Sequence, residues 1–170
     1  MKHVIPVSIP VKKYLENQLP NDYNARKDDY IGMWLINALV KKTSSAKTFT
    51  NCATDLKYLQ SRQFTEKWHF LVPVRYQDSV VLPRRRVLEF HNMVMAQMYA
   101  EIIMEFEHRK AAGEIDFIQN TIDNFRDRYK IWDRDLEDDR IRKMYLRHRE
   151  RNRAPGNSQF LSLGMFFAKI

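Results

Sequence analysis

The chain has 170 residues with 29 Lys or Arg and 21 Asp or Glu, which gives a formal net charge of +8. Its length permits a core that needs no metal or disulfide, and its 44% hydrophobic content excludes a disordered protein. The single cysteine, Cys52, excludes an internal disulfide framework and a cysteine-rich zinc site. No apolar run approaches the roughly 18 residues of a membrane span, and the N-terminus lacks the apolar segment of a signal peptide. We therefore expect a chain that neither spans a membrane nor is secreted by a signal peptide.

The N-terminal segment predicts one extended stretch followed by a helix. β-Branched residues interrupted by Pro6 and Pro10 indicate an edge strand or an extended arm near residues 3–9, because proline cannot donate to a strand ladder. Ser8 and Pro10 also suit the start of a short helix over residues 11–19.

A second helix is predicted over residues 29–42, where apolar residues recur at helical spacing. Asp28 or Asp29 is expected to cap its N-terminus, since a short acidic side chain accepts a hydrogen bond from the first free N–H groups. The Thr- and Ser-rich residues 43–50 indicate a loop, and residues 53–63 indicate a further helical turn or two.

In residues 68–75 every second side chain is a large apolar one, Trp68, Phe70, Val72 and Val74, and this period of two predicts a strand. Pro73 within the run favours a position at the edge of a sheet. Residues 80–82 are short and apolar, and they are predicted to form the hairpin partner of this strand.

The longest helix is predicted over residues 84–112, with Pro83 at its first position and Gly113 ending it. Its apolar residues cover more than one side, which is typical of a central core element. The residues at helical spacing are Val87, Phe90, Val94, Met98, Ile102 and Phe106.

Two further helices are predicted before the C-terminus. The first covers residues 114–129, and the second extends to about Arg151 with Asp133 or Asp135 as its cap. Residues 154–157, Ala-Pro-Gly-Asn, indicate a hinge. The apolar face of the first of these helices consists of Ile115, Ile118, Ile122, Phe125 and Tyr129.

These elements predict a mainly α protein, or α+β with a minor strand pair, built as a helical bundle around one long central helix. Residues 1–153 are expected to form the body, with short edge strands near 3–9 and 68–82. Residues 154–170 are expected to form a hinge and an apolar, extended C-terminal arm.

Charges of opposite sign are segregated near the C-terminus. Residues 133–139 contain five acidic side chains, whereas residues 140–153 contain seven basic side chains against one glutamate. One interpretation is a helix face that contacts nucleic-acid phosphates or an acidic partner, because guanidinium groups match phosphate geometry. The alternative is a solvated helix whose acidic start and basic end complement the helix dipole. The basic residues that share the face are Arg140, Lys143, Arg147 and Arg151.

A second basic cluster, Arg84, Arg85 and Arg86, lies at the predicted start of the longest helix. The helix dipole is unfavourable to cations at that end, which favours an anionic partner there. Basic triplets are also common on ordinary surfaces, so both interpretations stay open.

The segment after the hinge is strongly apolar and contains three phenylalanines. Each buried aromatic side chain contributes on the order of 1.5–3 kcal/mol, so the segment is expected either to fold back on its own domain or to dock on a neighbouring chain. We favour docking on a neighbour. The candidate partner-binding residues are Phe160, Leu161, Leu163, Met165, Phe166, Phe167 and Ile170.

Catalytic and metal-binding patterns are missing or weak. No Gly-x-Ser-x-Gly turn or glycine-rich phosphate loop is present, and nothing near Cys52 indicates an activated nucleophile. Glu105 and His108 have the Glu-x-x-His spacing of di-iron carboxylate bundles, but no second such motif accompanies them. The acids of residues 133–139 are explained more simply by a helix start than by magnesium binding. We therefore expect no enzyme, no catalytic residue, no metal or other cofactor, and no small-molecule substrate.

One segment near the C-terminus combines an aromatic-capped helix, an acidic turn and a Tyr- and Arg-rich helix, over about 25 residues. Its residues are Phe125-Arg-Asp-Arg-Tyr129-Lys-Ile131, Asp135-Leu136 and Met144-Tyr145-Leu-Arg147-His-Arg149. This segment resembles the C-terminal portion of small basic, largely helical proteins of tailed bacteriophages and related mobile elements. A helical body with an extended arm is also similar in organisation to phage head–tail adaptor subunits.

The resemblance implies a phage or mobile-element setting, in the virion or the host cytoplasm. Together with the apolar arm and the similarity in organisation, it leads us to expect a non-catalytic structural subunit of a virion, near its portal or neck. Copies of the same chain and other assembly subunits are the expected partners, with a possible contact to double-stranded DNA through the basic helix. The alternative is a DNA-binding regulatory or packaging protein that uses the last two helices as a helix-turn-helix-like unit and the arm as its dimer contact.

Replacing Phe160, Phe166 and Phe167 by serine is expected to abolish incorporation into an assembly, because the substitution removes the apolar side chains that would dock on a neighbour. Incorporation is measured by co-purification with the assembled particle, and the melting temperature of the isolated chain is the control. Unchanged incorporation together with a lower melting temperature would show that the segment folds back on its own domain.

Overall fold

The computed structural model of the protein describes residues 2–41, 64–74 and 80–153. These residues are mainly helical and include a two-stranded antiparallel sheet, as the sequence predicts. The strands are β1 (Lys2–Val7), β2 (Val40–Lys41), β3 (Glu66–Leu71) and β4 (Val80–Val81). The helices are α1 (Ile9–Gln18), α2 (Tyr30–Ala38), α3 (Arg84–Ala111), α4 (Phe117–Tyr129) and α5 (Asp138–Arg153).

The chain divides into two compact units, Met1–Asn92 and Met93–Ile170. The boundary falls within α3, which therefore supplies buried side chains to each unit. Val87 and Phe90 belong to the core of the first unit. In the second unit the buried side chains of α3 are Met93, Val94, Met95, Met98, Ile102 and Phe106.

β1 and β3 form the longer sheet of the first unit, with Ile5 opposite Trp68 and His3 opposite Phe70. Ile5, Trp68 and Phe70 are buried while Val4, on the other face of the sheet, is exposed, which is the alternation expected of a sheet with one solvated face. Trp68 stacks on Phe90 with ring centroids 5.7 Å apart, and this contact fastens the sheet to α3.

The predicted hairpin between residues 68–75 and 80–82 is wrong. β3 pairs antiparallel with β1, and the short β4 pairs instead with β2. Alternation within one segment indicates a strand but carries no information about its partner, which depends on how distant segments pack. The pairing of β2 with β4 also ends α2 at Ala38, before the predicted residue 42.

Several predicted helix ends are confirmed. α1 begins after Ser8 with Pro10 in its first turn, and α3 ends two residues before Gly113, whose φ of 74° is in the left-handed region that favours glycine. Asp29 caps α2 by accepting a hydrogen bond from the Gly32 N–H at 2.7 Å. The same carboxylate accepts a bond from the Tyr23 hydroxyl at 2.6 Å, which ties the cap to the preceding loop.

The predicted helix over residues 114–129 is shorter at its start. Glu114 accepts hydrogen bonds from Arg109 and from the Asn120 side chain, and these hold the segment as a turn before α4 begins at Phe117. Ile115 is consequently 84% exposed and does not belong to the apolar face predicted for it. The predicted loop 43–50, the helical segment 53–63 and the C-terminal arm lie outside the described residues.

Gly32→Ala is expected to destabilise the protein by about 2 kcal/mol or more, because a Cβ at this position would lie 2.3 Å from backbone atoms of Arg26. An ordinary glycine-to-alanine change inside a helix has the opposite sign. Urea unfolding at equilibrium measures the change. The control is Gly113→Ala, which meets no atom within 4 Å and is expected to cost only about 1 kcal/mol for its left-handed backbone. A Gly32→Ala variant as stable as the wild type would contradict this close approach.

Candidate functional site

α4 and α5 form an antiparallel pair in the second unit. Arg126, late in α4, forms an ion pair with Asp138 at the first turn of α5. Phe117, at the start of α4, packs edge-on against Tyr145 further along α5, with centroids 6.0 Å apart. Because the last turns of α4 meet the first turn of α5, the two helices run in opposite directions.

Tyr145 decides which side of α5 faces the core. Its ring is fully buried, 4.6 Å from the ring of Phe106 and close to Phe117. Ile141, one turn earlier, is also buried. Burial raises the pKa of the Tyr145 hydroxyl, with Glu107 adding to the effect. The opposite side of α5 is therefore the side that faces water.

Four cations lie on that outward side, as the sequence predicts from their spacing. At 100° per residue they fall within an arc of about 80°, and they extend over about 16 Å along the helix. All four side chains are exposed. We call this surface the basic face, and it consists of Arg140, Lys143, Arg147 and Arg151.

The cations of the basic face have few partners within the part of the chain that the structure describes. Lys143 is 4.0 Å from Asp139, at the limit of an ion pair, and both side chains are largely exposed. Arg140 lies beside the Tyr99 hydroxyl, where its charge opposes the rise in pKa that burial causes in that phenol. Arg147 and Arg151 form no ion pair with any described residue.

Other basic residues of the same helix turn inward and are used within the fold. Arg142 donates a hydrogen bond to the side-chain oxygen of Gln119 on α4. The Arg149 guanidinium lies 5.9 Å from the centre of the Tyr145 ring, a cation–π distance. Among the basic side chains of α5 that the structure describes, Arg142 and Arg149 thus have partners within the fold, whereas those of the basic face point toward water.

The acidic segment before α5 is structural. Asp133 accepts hydrogen bonds from the Asp138 N–H at 3.1 Å and from the Arg126 guanidinium at 3.0 Å. These two bonds hold the pKa of Asp133 below its ordinary value. Asp135 accepts from the Trp132 N–H at 3.0 Å. The sequence predicts Asp133 or Asp135 as the cap of α5, but neither directly precedes this helix, because α5 begins only at Asp138. Asp133 still satisfies one free N–H group in the first turn of α5.

The other predicted basic cluster is neutralised locally. Arg85 and Arg86 both bind the Glu89 carboxylate, at 2.8 Å and 2.6 Å, one turn along α3. Such i,i+3 and i,i+4 pairs explain how cations are tolerated near a helix start. The side chain of Arg84 lies outside the described residues. Arg85 and Arg86 therefore have a partner within their own helix.

The glutamate of the Glu-x-x-His motif belongs to an ion-pair network. The Glu105 carboxylate binds the Arg109 guanidinium at 3.1 Å and that of Arg128 at 3.5 Å. His108 and Glu114 line a shallow open pocket beside them. Among the described residues no group of three or more His, Cys, Asp or Glu side chains is arranged to hold a metal ion.

Two features were missed from the sequence. The Ser8 hydroxyl lies 2.8 Å from Nε2 of His91, a pair separated by 83 positions that no local pattern indicates. Three exposed aspartates also lie on or next to α4: Asp123 and Asp127 are one turn apart on the helix, and Asp116 directly precedes it with a left-handed backbone. Their separations of seven and four residues were the signal that identifies a second charged face, which we call the acidic stripe.

The candidate partner-binding residues of the arm, Phe160, Leu161, Leu163, Met165, Phe166, Phe167 and Ile170, lie outside the described residues. No helix in the described ranges is both long and apolar enough to cross a membrane. Comparison with protein-family models, with curated proteins and with solved structures finds no match to this chain. A function must therefore be argued from the site itself.

Asp133→Asn is expected to reduce the acid sensitivity of the protein. A carboxylate whose folded-state pKa lies below its ordinary value stabilises the fold above that ordinary value, and this stabilisation is lost as the pH falls through the folded-state pKa. Melting temperatures of wild type and variant, measured from pH 7 to pH 2.5, are therefore expected to converge at the acid end. Asp127→Asn, which removes an exposed carboxylate without an ion pair among the described residues, is the control. Parallel pH curves for wild type and Asp133→Asn would contradict the role of Asp133.

Proposed function

We propose that this chain is a non-catalytic structural subunit of a large multi-chain assembly, in the setting of a phage particle near its portal or neck. The observation that supports it is the basic face, which projects four cations from a helix whose other side is held by the core. The charges of Arg147 and Arg151, which no described carboxylate neutralises, are available to the phosphates or carboxylates of a partner.

In this proposal α3 is the central helix of a bundle, and residues 154–170 are an arm that docks on a neighbouring chain. The length of α3, 28 residues, and its buried side chains in each unit support the first part. The hinge composition and the apolar character of the segment after it support the second.

Two features of α4 and α5 weigh against the alternative of a helix-turn-helix reader of DNA. The helices are joined by residues 130–137, eight residues where such a motif has a turn of about three or four. The first turn of α5 carries Asp138 and Asp139, at the end where a recognition helix contacts base edges. Carboxylates there repel the DNA backbone, so a sequence-reading role is not favoured.

The charge balance of the second unit favours an acidic protein partner over free duplex DNA. Residues 93–170 contain 14 basic and 13 acidic side chains, so the unit as a whole lacks the excess that draws a protein to DNA from a distance. The basic face therefore acts at short range, on a surface brought to it by assembly. Any DNA contact within the assembly would be with phosphates and would carry no base preference.

The isolated protein is expected to bind duplex DNA feebly, with a dissociation constant no tighter than the roughly 10⁻⁶ to 10⁻⁴ M of non-specific binding. Fluorescence anisotropy at two salt concentrations measures it. Four phosphate contacts correspond to a slope of log K against log salt of about −3.6. A nanomolar affinity with a steeper slope would contradict the proposal and support the DNA-binding regulator.

Reversing the basic face is tested on immobilised heparin, a polyanion. The triple variant Arg140→Glu, Arg147→Glu, Arg151→Glu is expected to elute at markedly lower salt than the wild type. A matched control reverses three other exposed arginines, Arg85, Arg86 and Arg134, and is expected to elute later than the triple variant. If the control loses more heparin affinity than the triple variant, the basic face is not the site that binds anions.

A further inference from the structure

α4 carries an exposed surface of opposite sign to the basic face. Asp123 and Asp127 lie one turn apart on the side of α4 away from its buried residues, and Asp116 precedes the helix. Asp123 accepts a hydrogen bond from Gln119, and none of the three forms an ion pair with a described residue. Three carboxylates are thus presented to water along about 16 Å of helix.

The acidic stripe and the basic face lie side by side on one surface. α4 and α5 are antiparallel neighbours, and packed helices are about 8–10 Å apart. Each presents its charges on the side opposite to its core residues, which are Ile122 and Phe125 in α4 and Ile141 and Tyr145 in α5. The outer surface of the pair is therefore bipolar, acidic along one helix and basic along the other.

We propose that this bipolar surface binds a second copy of the chain about a two-fold axis that runs along the groove between α4 and α5. Such a rotation turns one surface to face the other and exchanges its two sides, so the acidic stripe of each copy meets the basic face of its partner. The proposal rests on the proposed function, because it names the partner of the basic face.

The positions of the charges along the common axis direction of the two helices, which we call their levels, agree with the two-fold arrangement. Phe117 and Tyr145 pack at one level. At 1.5 Å per residue, Asp123 lies about 9 Å from that level and Arg140 about 7.5 Å in the same direction. Asp116, the residue before Phe117, lies at the end of α4 near that level, on the side away from Asp123. A two-fold axis along the groove keeps these levels, so Asp123 of one copy faces Arg140 of the other.

By the same measure Arg147 lies about 3 Å beyond the level of Tyr145 and faces the second copy's Asp116. Asp127 lies about 15 Å away in the direction of Asp123, beyond the first residue of α5, so no cation of the basic face lies opposite it. The two-fold arrangement therefore predicts two kinds of ion pair, Asp123–Arg140 and Asp116–Arg147, each formed twice. Asp127 forms no ion pair in this arrangement.

An exposed leucine lies near the middle of the proposed interface. Leu146 is 49% exposed. Around the axis of α5 it lies between Arg142, which points inward and bonds to α4, and Lys143, which points outward. It therefore lies on the groove side of α5, beside the two-fold axis, where it meets its own copy. An apolar contact ringed by charged groups is the arrangement common at specific interfaces.

A second copy fits this surface better than a nucleic acid does. A phosphate backbone laid along the basic face would run beside Asp123 and Asp127 on the neighbouring helix, and like charges at that distance repel. A second copy complements both stripes at once. Charge complementarity of this kind selects the partner and its orientation more than it adds affinity.

Charge-swap rescue on the full-length chain tests the proposal. Sedimentation equilibrium is measured for Asp123→Arg, for Arg140→Asp and for the protein that carries both changes. Each single variant is expected to weaken self-association by about tenfold or more, and the double variant to restore it, because the ion pair is then re-formed with reversed signs. Leu146→Ser is expected to weaken it as well. Asp127→Arg, on the same stripe but without a partner, is the matched control and is expected to leave it unchanged.

A wild type that stays monomeric at about 100 μM, where even a weak dimer would form, overturns the proposal. So does a double variant that associates no better than the singles, or an Asp127→Arg variant that weakens association as much as Asp123→Arg. Heparin elution keeps this test separate from that of the proposed function. Asp123→Arg removes a negative charge and leaves heparin binding intact or stronger, whereas reversal of the basic face weakens it whether or not the chain dimerises.

Discussion

The burial of Tyr145 against Phe106 and Phe117 decides the orientation of the last helix, and with it every surface property argued above. Burying an aromatic side chain of this size stabilises the fold by about 1.5–3 kcal/mol. Rotating α5 by half a turn would expose Tyr145 and bury Arg140 and Arg147, and an unpaired buried charge costs several kcal/mol. The aromatic contact and the desolvation of the cations therefore favour the same orientation, and the basic face is its consequence.

Other charged side chains of the second unit are paired with one another within the fold. Arg126 and Arg109 are mostly shielded from water, and each binds two carboxylates, Asp133 with Asp138 and Glu105 with Glu114. These networks fasten the turns that precede α5 and α4. Charged groups that the fold uses for its own turns are thus paired, whereas among the described residues of the two outward stripes Lys143 alone forms an ion pair, with Asp139 at 4.0 Å. That contrast is what makes the outer surface of α4 and α5 a place for a partner.

Much of the local structure was predictable because its causes are local. The Asp29 cap, Pro10 in the first turn of α1 and the left-handed Gly113 after α3 each act within a few residues. The outward grouping of Arg140 and Arg147 followed from spacing alone, because 100° per residue places positions seven apart on one side of any helix.

Other features depended on contacts between distant segments. The chain by itself determined roughly where the helices lie, that Asp29 caps α2 and which cations share a face, since these follow from backbone geometry within a few turns. Only the tertiary structure decided that β3 pairs with β1 instead of β4, because strand partners are chosen by packing across more than sixty positions. The tertiary structure also decided that Ile115 is exposed, because the hydrogen bonds of Glu114 hold this segment as a turn. It decided as well that the acidic stripe lies beside the basic face. The order of two helices along a chain does not show which of their sides face water together.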